Sequence, residues 1–386
     1  MLVFIIIIIL SFLILIHELG HFLVAKWNQV KIEEFGLGYP PRAMKLFSWQ
    51  GTLFSLNWIP FGGFVKLEGE DGPNDVKQAV KQKAQQLKTK LTKGTQPFYL
   101  KSARARLAIV FAGALINFIF GMLAFSLLFS ATGIPTSLQH QPRISQVATD
   151  SPAAQANLPT QANITGLEID GQLTKTTTIQ EVQQVVEQHL GQQVIVFTTG
   201  PCEQLSCQDQ QQQFELYLRP PQQRPDDQGA MGVVFSDFYF KFYPWYEMPI
   251  RGAIYGVMQA LLMGWLMITT LAQIFRDLVF AGQVPADLAG PVGIVDHAQQ
   301  QDLLSTGWQG LLSFAGILSI NLAVMNILPI PGLDGGRAVF ILLEKLVGKS
   351  KVQKIEGYAN YGGFMFLVAL LILITLRDVW RILSHG

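Results

Sequence analysis

The feature that most constrains this chain is a pair of histidines and a glutamate inside a long apolar run at its start. Between residues 2 and 16 the only polar residue is Ser11, and apolar residues resume directly after His21. A run of this length predicts a helix that crosses a lipid bilayer. His17 and His21 are four residues apart and therefore share one face of that helix, with Glu18 beside them.

Two imidazoles one helical turn apart form a well-known zinc-binding pair, and an adjacent carboxylate can act as a general base. The lipid setting makes the pattern informative, because an ionisable side chain near the bilayer centre costs about 3 kcal/mol unless it is paired or ligated. We therefore predict that His17 and His21 bind one Zn²⁺ per chain, and that Glu18 is the catalytic base.

A candidate third ligand lies near the other end of the chain. A late apolar stretch ends in Asn326-Ile-Leu-Pro329-Ile-Pro331-Gly-Leu-Asp334. If this stretch runs in the same direction as the first helix, Asp334 reaches the depth of the histidines, and three protein ligands leave a fourth position for water. The prolines predict irregular backbone, which a membrane tolerates only beside protein or a wet cavity.

The composition supports a membrane setting for the whole chain. Of its 386 residues, 49% are hydrophobic and 14% are charged, which indicates a polytopic membrane protein with the lipid bilayer as a partner. The net charge of +1 gives no reason to expect nucleic acid. The first apolar run has neither a basic flank nor a small-residue cleavage site, so we expect it to be retained as a span.

Two membrane regions surround an insert. We assign 1–140 and 236–386 to the membrane core. In the insert, at 141–235, short β-rich runs, a Ser151-Pro152 helix start and a Thr178-to-Glu181 capping box predict a small α+β module. The expected spans lie at about 2–25, 107–129, 311–331 and 358–376.

Charge predicts the orientation of these spans. The loop at 26–106 is rich in lysine and arginine, so it is expected in the cytoplasm, and the insert outside. The stretch 246–281 is apolar enough to span, but a fifth span would put the lysines at 345–354 outside. We therefore interpret it as a helix that lies in, or dips into, the outer leaflet. Cys202 and Cys207 then lie in an external loop, where we expect a disulfide.

Two further segments have open roles. The region 30–67 is strand-like, with a hairpin turn expected at Gln50-Gly51. It is unusually apolar, and we expect it to enter the membrane beside the histidines, where its edge can pair with an unwound substrate; the alternative is an interfacial hairpin without that role. The second span carries Gly113, Asn117 and Gly121 as a packing stripe. Asn117 can contact either a substrate or a neighbouring helix.

Taken together, these motifs resemble those of the site-2 protease family. The members of this family are intramembrane zinc metalloproteases. The resemblance rests on His17-Glu18-x-x-His21 in the first span, Asn326-x-x-Pro329-x-Pro331-x-Leu-Asp334-Gly in a late span, and an external insert between them. It is strongest to the bacterial regulator-of-sigma-E type. It implies Asp334 as the third zinc ligand and substrate contacts from Asn326, Pro329 and Pro331, to which we add Asn117.

The resemblance also implies a fold and a function. The fold is a polytopic α-helical membrane protein with four transmembrane helices, a membrane-associated β-hairpin and one α+β PDZ-like extracytoplasmic domain. The function is regulated intramembrane proteolysis in the bacterial inner membrane. It acts on single-span membrane proteins, such as anti-sigma factors or signal peptide remnants, that another protease has already trimmed.

The chain departs from the family pattern in three places. Residues 156–162 differ from the Ala-Gly-Leu and Gly-Asp motifs that PDZ domains of this group carry, so the insert is open to two roles, peptide binding or a size filter alone. Ala114 follows Gly113 where the family usually has proline, and the insert has room for one PDZ-like domain where the regulator-of-sigma-E type has two. Two other functions are alternatives. One is a non-catalytic membrane scaffold with a structural metal site, and the other is an ion transporter. The scaffold would need a fourth protein ligand and no base, and the transporter an internal repeat.

Overall fold

A computed structural model of the protein describes residues 2–70, 95–137, 142–200, 211–225, 228–236, 238–277, 280 and 307–385. The chain forms two compact units. One combines Met1–Ala131 with Pro249–Gly386, and the other is Thr132–Met248. In chain order the helices are α1 (Leu2–Trp27), α2 (Ala103–Thr132), α3 (Pro152–Gln155), α4 (Ile179–Gln188), α5 (Met248–Arg276), α6 (Gly307–Ile327), α7 (Asp334–Val347) and α8 (Lys349–His385).

The strands are β1 (Ile32–Trp49), β2 (Thr52–Leu67), β3 (Ile134–Ser137), β4 (Arg143–Val147), β5 (Asn163–Ile169), β6 (Gln172–Lys175), β7 (Gln193–Thr199), β8 (Gln211–Tyr217), β9 (Val233–Ser236) and β10 (Phe238–Lys241).

The protein is membrane-embedded. In the part of the chain that the structure describes, five helices are long and apolar enough to cross a bilayer, judged by length and composition: α1, α2, α6, Met248–Ile274 of α5 and Ile355–Asp378 of α8. The sequence predicted four of these as spans and the fifth, α5, as an interfacial or dipping helix. The number of four spans stays a prediction.

Helices α1, α2 and α6 pack together in alternating directions. The Phe12 and Phe120 rings pack edge to face with centroids 5.8 Å apart, and Gly20 lies against Ala112, so α1 and α2 are antiparallel. Leu311 packs against Ile6 near the start of α1. Helix α6 therefore begins at the end of the unit where α1 begins and runs parallel to it, as required to bring Asp334 to the depth of the histidines.

Helix α5 lies along α2 rather than across its end. The Ser126 hydroxyl donates to the Ala253 carbonyl oxygen over 3.2 Å, and further along the pair Gly264 leaves room for the Phe118 ring. Ala260 is fully buried between these positions. This packing disfavours a helix that lies flat in the interface, and the dip into the outer leaflet stays a prediction.

The predicted hairpin is present, with Gln50 and Gly51 at its turn. Their φ angles of 48° and 81° are those of the left-handed region that a two-residue hairpin turn uses. The first half of β1 pairs on both sides, since Phe35 lies opposite Val65 and also opposite Phe54. The folded hairpin thus leaves the end of β2 as an edge segment. Its entry into the membrane stays a prediction.

The second unit is built on a six-stranded sheet in the order β8-β7-β5-β4-β9, with β6 paired to β5. The two predicted helix starts are confirmed: Ser151 caps α3 with Pro152 at its first turn, and Thr178 and Glu181 form a capping box at α4. β3 and β10, at the two ends of this unit's chain segment, form a separate antiparallel pair. The PDZ-like assignment stays a prediction, and Cys202 and Cys207 lie outside the described residues.

The helix arrangement generates a prediction about topology. Lys349 contacts the Tyr99 carbonyl oxygen just before α2 begins, whereas α6 begins beside Ile6. We therefore expect Lys101→Cys and Lys349→Cys to react with an impermeant thiol reagent from the cytoplasmic side, because the basic loop before α2 faces inward. A cysteine at Gln309 is expected to react from the opposite side.

The measurement compares labelling of intact cells with labelling of inverted membrane vesicles, in a chain whose Cys202 and Cys207 are replaced by serine. A matched control is the same chain with no added cysteine. Labelling of residue 349 from outside would contradict both the four-span topology and the arrangement of α2 and α8.

Candidate metal centre

Three ligand atoms from distant parts of the sequence converge at one point. The Nε2 atoms of His17 and His21 are 3.1 Å apart, and the Asp334 Oδ2 atom lies 2.9 Å from the first and 3.2 Å from the second. These three residues form a group that can hold a metal ion. His17 and His21 share a face of α1, and the carboxylate is supplied by the first residue of α7.

The geometry and the donor set fit zinc. Tetrahedral zinc with ligand bonds near 2.1 Å separates neighbouring ligand atoms by about 3.4 Å, and two imidazoles with a carboxylate are an established zinc donor set. Space for an ion is provided by α2, because a Cβ atom on Gly113 would lie 2.5 Å from His21 Nε2 and 2.6 Å from His17 Nε2. Only glycine leaves that volume open.

The other ring nitrogen of each histidine faces α2. His21 Nδ1 lies 2.8 Å from the Ile109 carbonyl oxygen and donates to it when Nε2 serves as the ligand. His17 Nδ1 lies 3.5 Å from the amide of Asn117. Outer-sphere partners of this kind set the tautomer and the orientation of metal-binding histidines. Helix α2 therefore supports the two imidazoles that α1 presents.

The predicted base, Glu18, is held by the hairpin. The backbone N–H of Val65 in β2 donates to a Glu18 carboxylate oxygen over 3.0 Å. Gly63 lies close to the same side chain, where its missing Cβ would approach the Glu18 Cγ to 4.0 Å. One oxygen of Glu18 is thus oriented by a backbone group, and the arrangement places a carboxylate beside the three converging ligand atoms.

Asp334 is positioned by a tight turn between α6 and α7. Gly335 packs against the last carbonyl groups of α6, where a Cβ would lie 2.2 Å from the Ile327 oxygen. Arg337, one turn into α7, forms ion pairs with Glu70 and Glu356. Burial alone would lower the pKa of Arg337, but these carboxylates outweigh it and raise that pKa above its ordinary value. The arginine therefore stays charged and ties the start of α7 to its neighbours.

The centre lies in a cavity of about 350 Å³, and several of the predicted site residues line this cavity. His17, Glu18, His21 and Asp334 all line it, and so do Asn117 and Asn326. The Asn326 amide donates to Leu322 of its own helix over 2.9 Å. Pro329 and Pro331 lie in the turn between α6 and α7, away from the cavity lining, and their substrate contacts stay predictions.

Sequence reasoning missed the backbone groups and the spacing residue of this site. The Val65 N–H and the Ile109 carbonyl carry no side-chain signal, and the role of Gly113 shows only when α1 and α2 are in contact. The spacing of Gly113 and Asn117 predicts a packing face on α2, with Asn117 open between a substrate and a neighbouring helix. Its alternative meaning, a helix face turned toward the histidines, depends on the tertiary structure.

Comparison with known proteins supports the same assignment. Residues 5–370 match the family model described as Peptidase family M50. The chain belongs to peptidase family M50. The resemblance to the site-2 proteases is thereby confirmed, and the protein is a peptidase, as the motifs predicted.

Relatives match over nearly their full length. A candidate zinc metalloprotease of Clostridium acetobutylicum is 28% identical over 378 residues, covering 97% of both chains. Another from Fusobacterium nucleatum is 27% identical over 385 residues, covering 98% of both. The zinc metalloprotease RasP of Oceanobacillus iheyensis is 25% identical over 439 residues, covering 96% of both.

The space that Gly113 leaves beside the two histidines generates a prediction about zinc binding. Gly113→Ala is expected to lower the zinc content of the purified protein to a small fraction of one per chain, because the new methyl group would occupy the volume between the two Nε2 atoms. The measurement is elemental analysis of the protein in detergent.

A control on the same helix is Gly121→Ala, whose Cβ would meet the buried Ile320 side chain at 2.6 Å, just as tightly, but has no predicted metal ligand among its nearest atoms. This variant should keep its zinc. Full zinc content in Gly113→Ala would contradict the assigned position of the ion.

Proposed function

We propose that this member of peptidase family M50 is an intramembrane zinc metalloprotease that hydrolyses peptide bonds within or near membrane-spanning segments. The observation that carries the proposal is the convergence of His17, His21 and Asp334, with Glu18 beside them, inside a unit of apolar helices. The names of the relatives, which describe zinc metalloproteases, support zinc as the cofactor.

In this proposal His17, His21 and Asp334 hold the ion and Glu18 moves the proton. Zinc in such a site supplies Lewis acidity, which acidifies a bound water and polarises a peptide carbonyl. The Glu18 carboxylate takes a proton from the attacking water and passes it to the amine nitrogen of the leaving peptide. The Val65 N–H restrains one Glu18 oxygen, so the other is free to act as the base.

A substrate helix has to unwind before it is cut, since its carbonyl groups are shielded and hydrogen-bonded within the helix. The edge of β2 supports a role in holding the extended strand, because Phe64 and Val65 line the cavity beside the base. Backbone pairing at such an edge binds an extended peptide without demanding a particular sequence. Asn326, on the opposite wall, is a second candidate contact.

We further propose that the protein resides in the bacterial inner membrane with the insert outside, and acts on single-span proteins trimmed by another protease. The basic loop before α2 supports this orientation. Anti-sigma factors and signal peptide remnants are substrates of the expected kind. The external PDZ-like module would exclude a substrate that carries a large external domain.

The scaffold alternative is disfavoured by the site itself. A closed structural zinc site has four protein ligands, whereas three are present here among the described residues. A carboxylate oriented at hydrogen-bond distance by a backbone amide, and a cavity at the centre, serve catalysis rather than cross-linking.

Substitution of the base tests the catalytic proposal. Glu18→Gln is expected to lower the cleavage rate of a membrane-embedded substrate by about 10²- to 10⁴-fold, because the amide cannot accept the proton. Zinc content should stay near one per chain, since Glu18 is not a ligand. The measurement pairs a cleavage assay in liposomes with elemental analysis of the same preparation.

The matched variants are His17→Ala and Asp334→Ala, which should lose both zinc and activity. Undiminished cleavage by Glu18→Gln would show that another group is the base. Retention of zinc in both ligand variants would refute the assigned centre.

Substrate selection is tested with one single-span model protein in two forms, one with a large folded external domain and one with a short tail. In liposomes we expect the short form to be cut and the large form to resist, because the insert obstructs it. Deleting residues 143–235 should allow cleavage of the large form. Equal cleavage of both forms by the intact enzyme would show that the insert is not a size filter.

A further inference from the structure

Asn117 of α2 places its side-chain amide beside the predicted zinc ligand His17. Its side chain is fully buried, at 0% exposure, and its Nδ2 atom lies 3.5 Å from His17 Nδ1. The Asn117 Oδ1 atom is buried and has no hydrogen-bond partner among the residues that the structure describes. A buried amide oxygen without a partner costs about 1–3 kcal/mol, so this position calls for a physical reason.

The tautomer of His17 supplies that reason. With Nε2 directed at Asp334 and His21, a metal-binding His17 carries its remaining ring proton on Nδ1 and requires an acceptor there. The Nδ2 atom of Asn117 is only a donor, whereas the partnerless Oδ1 is only an acceptor. A half-turn of the planar amide about its Cβ–Cγ bond brings Oδ1 to Nδ1 and pairs these two atoms, while Nδ2 takes the position that Oδ1 leaves.

We infer that Asn117 is a positioning residue that accepts a hydrogen bond from His17 Nδ1–H and so orients this imidazole for zinc. Of the two roles that the sequence left open for Asn117, this is the contact with a neighbouring helix, and the inference rests on the proposed zinc site. The pattern is consistent across the site, since His21 Nδ1 has its own acceptor in the Ile109 carbonyl oxygen. Both imidazoles then present Nε2 to the ion and Nδ1–H to the same helix, α2.

The backbone around Asn117 is fixed independently of this contact. The Ser319 hydroxyl of α6 donates to the Asn117 carbonyl oxygen over 2.8 Å, and Ser319 is itself fully buried. The Asn117 side-chain amide therefore extends toward His17 from a backbone position that a separate hydrogen bond fixes. A change at Ser319 perturbs the same helix contact without touching the imidazole, which provides a matched control.

The test measures zinc affinity of the full chain in detergent, by competition with a chelator, together with the visible absorption spectrum of the cobalt-substituted protein. Asn117→Leu, similar in size but without an acceptor, is expected to lower zinc affinity by about 10- to 100-fold and to alter the cobalt spectrum. Asn117→Asp keeps the acceptor and should stay within a few-fold of the wild-type affinity. Ser319→Ala should leave both zinc affinity and the spectrum unchanged.

The aspartate variant decides the direction of the bond even if Asn117→Leu fails to fold. If the Asn117 amide donated to His17, a carboxylate would remove the bond, and Asn117→Asp would lose affinity together with the leucine variant. That result would overturn the inference. So would a leucine variant with unchanged zinc affinity and a raised KM, which would mark Asn117 as a substrate contact.

His17→Ala separates failure of this inference from failure of the proposed centre. If His17→Ala loses zinc while Asn117→Leu keeps wild-type affinity, the centre stands and the role of Asn117 is refuted. If His17→Ala keeps its zinc, the centre itself is wrong, and the inference falls with it.

Discussion

The structure depends on bringing the imidazoles of His17 and His21 and the carboxylate of Asp334 together among apolar helices. Each of these polar groups needs a partner there. His17 and Asp334 are separated by 317 positions in the chain, yet their ligand atoms approach to 2.9 Å. Each of these groups is costly near lipid when alone, and the shared cation that we propose would offset the cost for all three. This requirement explains why α6 runs parallel to α1 and why the chain turns sharply before α7.

Helix α2 makes the assembly possible by coming very close to α1. Close approach of membrane helices relies on small residues, because lipid provides no hydrophobic force to press helices together. Gly113 does more than permit this contact, since it leaves open the volume next to both Nε2 atoms. The same helix offers the Ile109 carbonyl and the Asn117 amide to the far sides of the rings. One helix face thus serves packing, ion space and ligand orientation together.

Ion pairs around the centre connect the helices and the hairpin that carry its residues. Arg106, at the start of α2, pairs with Glu344 of α7, and both side chains are nearly buried, at 6% and 9% exposure. Breaking such a pair by removing one partner costs about 3–5 kcal/mol, because an uncompensated charge stays behind. Arg337 ties the first turn of α7 to Glu70 beyond β2. Arg337 therefore links the helix that begins at Asp334 to the segment directly after the strand whose Val65 N–H holds Glu18.

Local patterns let the sequence alone determine the shared face of His17 and His21 on α1, the hairpin turn at Gln50-Gly51 and the capping box at Thr178. Each depends on residues a few positions apart, whose relative placement follows from helix or turn geometry. The position of Asp334 beside the histidines could also be inferred, because the lengths and directions of the apolar stretches predict how deep each residue lies in the membrane. What only the tertiary structure decided involves contacts between distant elements: the Val65 N–H on Glu18, the Asn117 amide against His17, and α5 lying along α2. Hydrophobicity and helical period specify which residues are buried, but they do not specify which partner a buried polar group meets, and that choice is made when the helices pack.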